Sequence, residues 1–332
     1  MSQPYAEAHK VTKGPGDARP TALQIVRDND LEGKLQGKVA LVTGVSSGIG
    51  IPTALALKAA GMHVFGAVRN LEKGKKAFGD HLEPGRLELL HLDMNSLNSV
   101  RQCAKEFLAK SDTLNILVNN AGIMMNPEGR TADGFELQFG TNHLAHFLLF
   151  QLLKDTLLKS ATPEFASRVI CVSSTGHRWG QVHFDNINLE GIYTPEGGYG
   201  QSKLCNIYMA NELDRRYGKK NLHGFSLHPG AIWTGLQIHY AKEVMDTYKS
   251  MDSITLHMKS AEQGAATSVW AALAKYLEGK GGIYLEDCGV APPATEGYGD
   301  IDPGYESYAY DEEKENKLWK LSLELIGLPD DQ

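Results

Sequence analysis

Cysteine is scarce in this chain. The four present, Cys103, Cys171, Cys205 and Cys288, lie far apart and form no Cys-x-x-Cys pair. That usage points to neither a disulfide framework nor a zinc site; it fits a reducing compartment, so a cytoplasmic location is expected. Each thiol reads as a small buried hydrophobe. Long apolar runs are missing too: none reaches the length of a membrane-spanning helix, so no integral membrane segment is expected. Positive charge is in the minority, with 33 Lys and Arg against 40 Asp and Glu, and no helix-length stretch is dense in Lys or Arg. A nucleic-acid partner is therefore not expected. His143, His146 and His177 have no partners at metal-ligand spacing and are assigned to structure, with no metal expected. The opening stretch, MSQPYAEAHKVTKGPGDARP, lacks the apolar centre of a secretory signal. Residues 1–21 read as a polar arm, disordered or loosely draped.

What the chain does have is a rhythm. Apolar, strand-length runs recur: VALVTG (39–44), HVFGAV (63–68), LELLHL (87–92), LNILVN (114–119), RVICVS (168–173), HGFSLH (223–228) and, more weakly, GIYL (282–285). Between them lie helix-length amphipathic segments, among them 48–61, 97–110, 147–159 and 199–218. Strands apolar on both faces that alternate with helices predict an α/β fold. The expected form is one Rossmann-type doubly wound domain over 22–332, with a mainly parallel sheet of about seven strands. Two intervals break the rhythm, 175–198 and 235–260. The second is expected to shape a substrate loop or lid. A C-terminal helix is expected at 311–326. The apolar helices 147–159 and 199–218 leave two readings open: association into a homo-oligomer, or burial within the subunit.

The first run leads into TGVSSGIG. In this motif Gly44 permits a sharp turn, Gly48 lets backbone approach a pyrophosphate, and Gly50 lets helix and sheet pack closely. With Ser46, Ser47 and Ile49 they form a phosphate loop opening on a helix N-terminus, whose free N–H groups favour an anion. The second run ends in Val68 and Arg69 where an NAD-binding chain would carry a carboxylate. A guanidinium there suits a 2′-phosphate, so NADP(H) is expected ahead of NAD(H). Asp93 and Met94 follow the third run, on the adenine side. Asn119, Ala121 and Gly122, within NNAG, follow the fourth, on the ribose side; Asn119 can equally be read as a tie between strands.

Three further elements aim polar groups at the same crevice. Ser173 and Ser174 end the fifth run, Asn142 lies on the preceding helix, and Tyr199 and Lys203 sit one helical turn apart in GYGQSK. With TGxxxGIG, NNAG and HPGAIWT (228–234), these motifs occur in the order in which the chain resembles the short-chain dehydrogenase/reductase family, over roughly residues 38–290. TALQIVRDNDLEGKLQGKVALVTG, NHLAHF, the long loop before Tyr199 and SAEQGAATSVWAAL (260–273) look like the retinol-dehydrogenase and WW-domain-oxidoreductase branch.

The resemblance implies roles. Tyr199 is the general acid/base. Lys203 lowers its pKa and holds the nicotinamide ribose. Ser174, rather than Ser173, orients the substrate oxygen. Asn142 anchors a water relay, unless it only mends its helix. Pro229, Gly230, Ile232 and Thr234 fix the nicotinamide carboxamide. Trp179 and Trp233, with Tyr193 and Tyr240, fall in the variable segments and line an apolar pocket or are scattered surface aromatics. The activity implied is NADP(H)-dependent hydride transfer to or from the carbonyl or alcohol of a hydrophobic small molecule, secondary-metabolite, retinoid- or steroid-like. The alternatives are an NADP(H)-binding protein with little turnover, and an epimerase or dehydratase using the same tyrosine.

Overall fold

The seven apolar runs form strands β1 Val39–Thr43, β2 His63–Val68, β3 Leu87–His91, β4 Ile116–Asn119, β5 Ser167–Val172, β6 Leu222–His228 and β7 Ile283–Glu286. The computed structural model describes residues 3–299 and 302–330. An eighth strand, β8 Gly289–Val290, pairs antiparallel with β7 and extends the expected sheet by one. Two residues are too few to carry an alternation, so the sequence pattern could not show it. The order is β3-β2-β1-β4-β5-β6-β7-β8, with every other pair parallel. β1, β4 and β5 expose no residue, because helices cover both faces. The chain leaves β1 toward β2 on one side and returns to β4 on the other. The carboxyl ends of β1 and β4 thus border the crevice where this topology places ligands.

The helix bearing Tyr199 runs Pro195–Tyr217, with Pro195 in its first turn and the Thr194 hydroxyl capping Gly197 N–H. It is buried along most of its length, and Ala145–Ser160 across half of its residues. Of the two readings for these apolar helices, burial within the subunit accounts for the faces seen here. The C-terminal helix Glu312–Ile326 covers them: Trp319 packs edge-on against Phe147, ring centres 4.9 Å apart, and against Phe150 at 5.9 Å. Its buried Glu315 accepts from Asn211 at 2.8 Å and pairs with Arg215. Truncation after residue 310 is expected to bare this apolar face and drive self-association, read by sedimentation velocity. A truncated chain sedimenting like the full one would show that the helix is not a needed cover.

The polar arm is not loosely draped. Ala6–Lys10 forms a short helix, and Arg19 is buried against backbone carbonyls and Asp17. Long-range hydrogen bonds hold much of it, with Tyr5 packed on the core, which is why hydropathy gave little sign of order. The 235–260 interval carries two helices, Lys242–Ser250 and Asp252–Thr255, that bury none of their own residues. All four cysteines are free and buried. Among the described residues, no helix is long and apolar enough to cross a membrane, and no three His, Cys, Asp or Glu side chains could hold a metal.

Candidate active site

The phosphate loop is shaped by what a side chain would hit. Gly44 adopts φ +73°, and a Cβ on it would lie 2.8 Å from Ala121 Cα. A Cβ on Gly50 would lie 2.5 Å from Gly44 O, so the helix Gly50–Ala59 can only meet the loop through glycine. Asn70, Ser96 and Thr194 cap their helices, but no side chain caps this one. Its N-terminal N–H groups are left for a ligand, which fits a phosphate. Ser46, Ser47, Gly48 and Ile49 form the rim, and Thr234 lies 3.4 Å from where a Gly48 Cβ would be.

The loop is tied to β4 by residues inside the quoted motifs that the sequence reading passed over. Thr43 Oγ1 accepts from Asn120 N and Ala121 N, both at 2.9 Å, and meets His146 Nε2 at 2.8 Å. Asn120 Nδ2 donates to Thr43 O at 2.7 Å. The signal was available: Asn120 is the second asparagine of NNAG. Asn119 itself is buried and points at Cys171 Sγ, 3.9 Å away on β5, the strand-tie reading. Asp93 Oδ1 accepts from Asn95 N, Asp93 N donates to Ser99, and Met94 is buried beneath. Arg69 is exposed just past β2 and, among the described residues, forms no ion pair.

At the carboxyl end of β5 the two serines part company. Ser173 is buried and donates to Lys203 O, while the Ser174 hydroxyl accepts Gly176 N–H and lies near enough to the Tyr199 phenol to draw its pKa downward. Lys203 Nζ lies 5.5 Å from the centre of the Tyr199 ring and donates to Val172 O at 3.1 Å, its one hydrogen bond among the described residues. Asn142 sits in a π-type turn, Gly140–Leu144. Its Oδ1 accepts from Ile123 N, and its Nδ2 donates to Ile123 O and Ser202 Oγ. Asn142 Oδ1 and Lys203 Nζ converge on Gly122, 3.3 and 3.4 Å from where its Cβ would be. Gly176 and Gly200 let the loop after β5 seat on the helix: a Cβ on Gly176 would lie 2.7 Å from the Tyr199 ring, one on Gly200 2.7 Å from Gly180 N. Trp179 follows, its ring centre 5.8 Å from that of Tyr199. Tyr240 of the lid is close enough to act on Tyr199 electrostatically, and Trp233 lies under Lys249. The Tyr193 hydroxyl is spent on Asn126 O and Gln138.

Electrostatics corrects one expectation. Burial pushes Tyr199 up to about 12, against the pull of Ser174, and no lowering by Lys203 accompanies it. Burial also brings Lys203 down to about 8. A folded-state pKa below the unfolded value of 10.5 means that the unfolded chain binds more protons between about pH 8 and 10.5. Lys203 therefore carries its full penalty at neutral pH, on the order of 3 kcal/mol, relieved as pH rises through that window. Lys203→Met is expected to raise Tm at neutral pH by a few degrees while removing turnover. A lower Tm would contradict the buried-charge reading. The histidines assigned to structure stay there: burial lowers His143 to about 3 and His146 and His177 to about 4, and each hydrogen-bonds within the fold.

The family model for short chain dehydrogenases matches residues 38–244, spanning the phosphate loop, Asn142, Ser174, Tyr199 and Lys203. The chain belongs to the short-chain dehydrogenase family. Its relatives place it in the retinol-dehydrogenase-like branch. The short-chain dehydrogenase/reductase prx1 of Penicillium roqueforti is 54% identical over 324 residues, 98% of this chain and 95% of that one. Retinol dehydrogenase 11 of Homo sapiens is 37% identical over 301 residues, 90% and 88% of the two chains. Among solved structures, an uncharacterized protein from Mycobacterium paratuberculosis superposes with a TM-score of 0.67 at 30% identity, over 90% of this chain and 97% of that one. As a short-chain dehydrogenase the protein is an oxidoreductase of a family that binds nicotinamide cofactors. In this dehydrogenase the family match stops at residue 244, so the second half of the lid and the covering C-terminal helix lie beyond it.

Proposed function

We propose that this dehydrogenase reduces a carbonyl, or oxidises the matching alcohol, of a hydrophobic small molecule with NADP(H), with Tyr199 as the general acid/base. The observation that carries the reading is the group of buried Tyr199 and Lys203 with half-buried Ser174, at the end of β5 beside the phosphate loop. The residues fit the cofactor. The uncapped helix and its glycines suit the pyrophosphate, Arg69 the 2′-phosphate, and the spare N–H groups of Lys203 the nicotinamide ribose. When bound, the cofactor supplies or accepts the hydride.

The chain's own residues handle the proton. Ser174 aims the substrate oxygen at the Tyr199 hydroxyl, and Tyr199, held protonated by burial, is the donor a carbonyl reduction needs. Asn142 fixes the Ile123 turn beside Lys203 Nζ, the place through which a water would bring a proton from solvent to replace the one Tyr199 gives up. Asp93, Met94 and Asn119 through Gly122 border the adenosine half, and Pro229, Gly230, Ile232 and Thr234 the carboxamide. Trp179, Trp233 and Tyr240 favour an apolar substrate, as does a relative named for retinol. Four free, buried thiols suit the cytoplasm.

The test is a panel of ketones, aldehydes and alcohols with NADPH or NADP, followed at the nicotinamide absorbance band. Turnover of apolar carbonyls is expected. Tight NADPH binding with no turnover across the panel would favour a binding protein instead.

A further inference from the structure

The N-terminal arm lies outside the family match, yet its most buried polar group reaches the active-site side of the molecule. The Arg19 guanidinium donates to His257 O at 2.8 Å, to Met258 O at 2.5 Å and to Gly14 O at 3.1 Å. Asp17 orients it: Asp17 Oδ1 accepts from Arg19 Nε at 2.8 Å and from Arg19 N at 3.0 Å. Gly14 N donates to Leu256 O, and Gln263 bonds Gly16 N, Asp17 and Arg19 O. Arm and lid end are thus laced together over Leu256 to Gln263.

The next residue along, Lys259, carries the contact onward. Its N–H donates to Ala231 O, and it forms a parallel bridge with Ile232. Its buried side chain lies against Gly230, where a Cβ would come within 2.7 Å of it. Its Nζ pairs with Asp287 at 2.7 Å and reaches Pro229 O at 3.4 Å. A second arm residue, His9, places Nε2 3.4 Å from the same Asp287 oxygen. The arm therefore backs the segment Pro229–Ile232 at two points. The two lid helices between that segment and the arm's anchor bury none of their own residues. Other ties hold the lid's beginning: the Thr234–Gln237 capping box, and Asn126 against His239.

We infer that the N-terminal arm is a working part of the site: Arg19, oriented by Asp17, is a positioning residue that holds the far end of the lid and, through Lys259, the Pro229–Ile232 segment in place. The inference rests on reading that segment as the nicotinamide side of the cofactor site. An unheld guanidinium would gain little by leaving water; here it meets three carbonyls and a carboxylate in fixed fork geometry, which couples arm and lid end mechanically. The consequence falls on binding, because the segment that moves lines the cofactor rather than supplying the proton.

The experiment compares full-length wild type with Arg19→Met, Arg19→Lys and Asp17→Asn. It measures amide hydrogen exchange over 229–234 and 238–258, NADPH affinity, and the division between KM and kcat. Arg19→Met is expected to speed exchange in both stretches by roughly tenfold or more and to raise Kd and KM for NADPH by roughly five- to tenfold, with kcat changed by less than about threefold. Arg19→Lys, which keeps the charge but not the fork, is expected to fall between the two. Faster exchange confined to residues 3–21, with unchanged NADPH affinity, would overturn the inference. Should Arg19→Met fail to fold, Asp17→Asn decides in its place: it keeps the guanidinium, and the same two stretches are expected to loosen, by less. Unchanged exchange there overturns the inference equally. Absence of carbonyl turnover in wild type would count against the proposed function alone, since exchange and NADPH affinity need no turnover.

Discussion

Tyr199→Phe is expected to lower kcat by about 10^2- to 10^4-fold, the range a positioned general acid supplies, and to leave NADPH affinity within a few-fold. The ring stays: Phe fills the same buried space between Gly176 and Trp179, so the fold loses only the phenol hydroxyl beside Ser174. Stability and cofactor binding therefore serve as internal controls. Because burial holds the phenol protonated well above neutral pH, the donor is present throughout the neutral range. The loss in the variant is accordingly expected at every neutral pH rather than at one limb of the profile. A variant turning over near the wild-type rate would remove Tyr199 from the chemistry.

Arg69→Asp has the next largest expected effect. Arg69 follows directly on β2, exposed and without an ion-pair partner among the described residues, so no internal carboxylate competes for it. Asp at this place would repel a 2′-phosphate and accept from a ribose 2′-hydroxyl. Losing a charge-assisted contact while gaining repulsion should lower the NADPH-to-NADH ratio of kcat/KM by about 10^2-fold or more. An unmoved ratio would assign the cofactor preference to other residues.

How legible each feature was follows from the physics behind it. The phosphate loop could be read because it depends on glycines at fixed offsets, and Gly44 and Gly50 are indeed places where a Cβ would strike backbone. The strands could be read because burial on both faces leaves unbroken apolar runs. Ser173 and Ser174 part because successive residues of extended backbone face opposite ways, one to Lys203 O and the other to the Gly176 turn. Thr43 and Asn120 were overlooked because their work is a set of hydrogen bonds to neighbouring loops, and a hydroxyl in a motif does not announce its partners. The arm escaped for a similar reason. Its order comes from Arg19 meeting carbonyls more than two hundred residues away, a pairing with no local period. The rise in the Tyr199 pKa was missed because a four-residue spacing gives proximity to Lys203 but not depth; with both groups buried, desolvation is the largest influence on each.

The proposed chemistry is tested most directly by following the hydride itself. NADPH carrying deuterium at both C4 positions is incubated with an accepted apolar carbonyl, and the product is read by mass spectrometry. The expected result is an alcohol with one deuterium on the former carbonyl carbon, formed by wild type and nearly lost in Tyr199→Phe. Tight NADPH binding with no deuterium in any product, or equal labelling by the variant, would contradict the assignment of Tyr199 as proton donor to a hydride transfer.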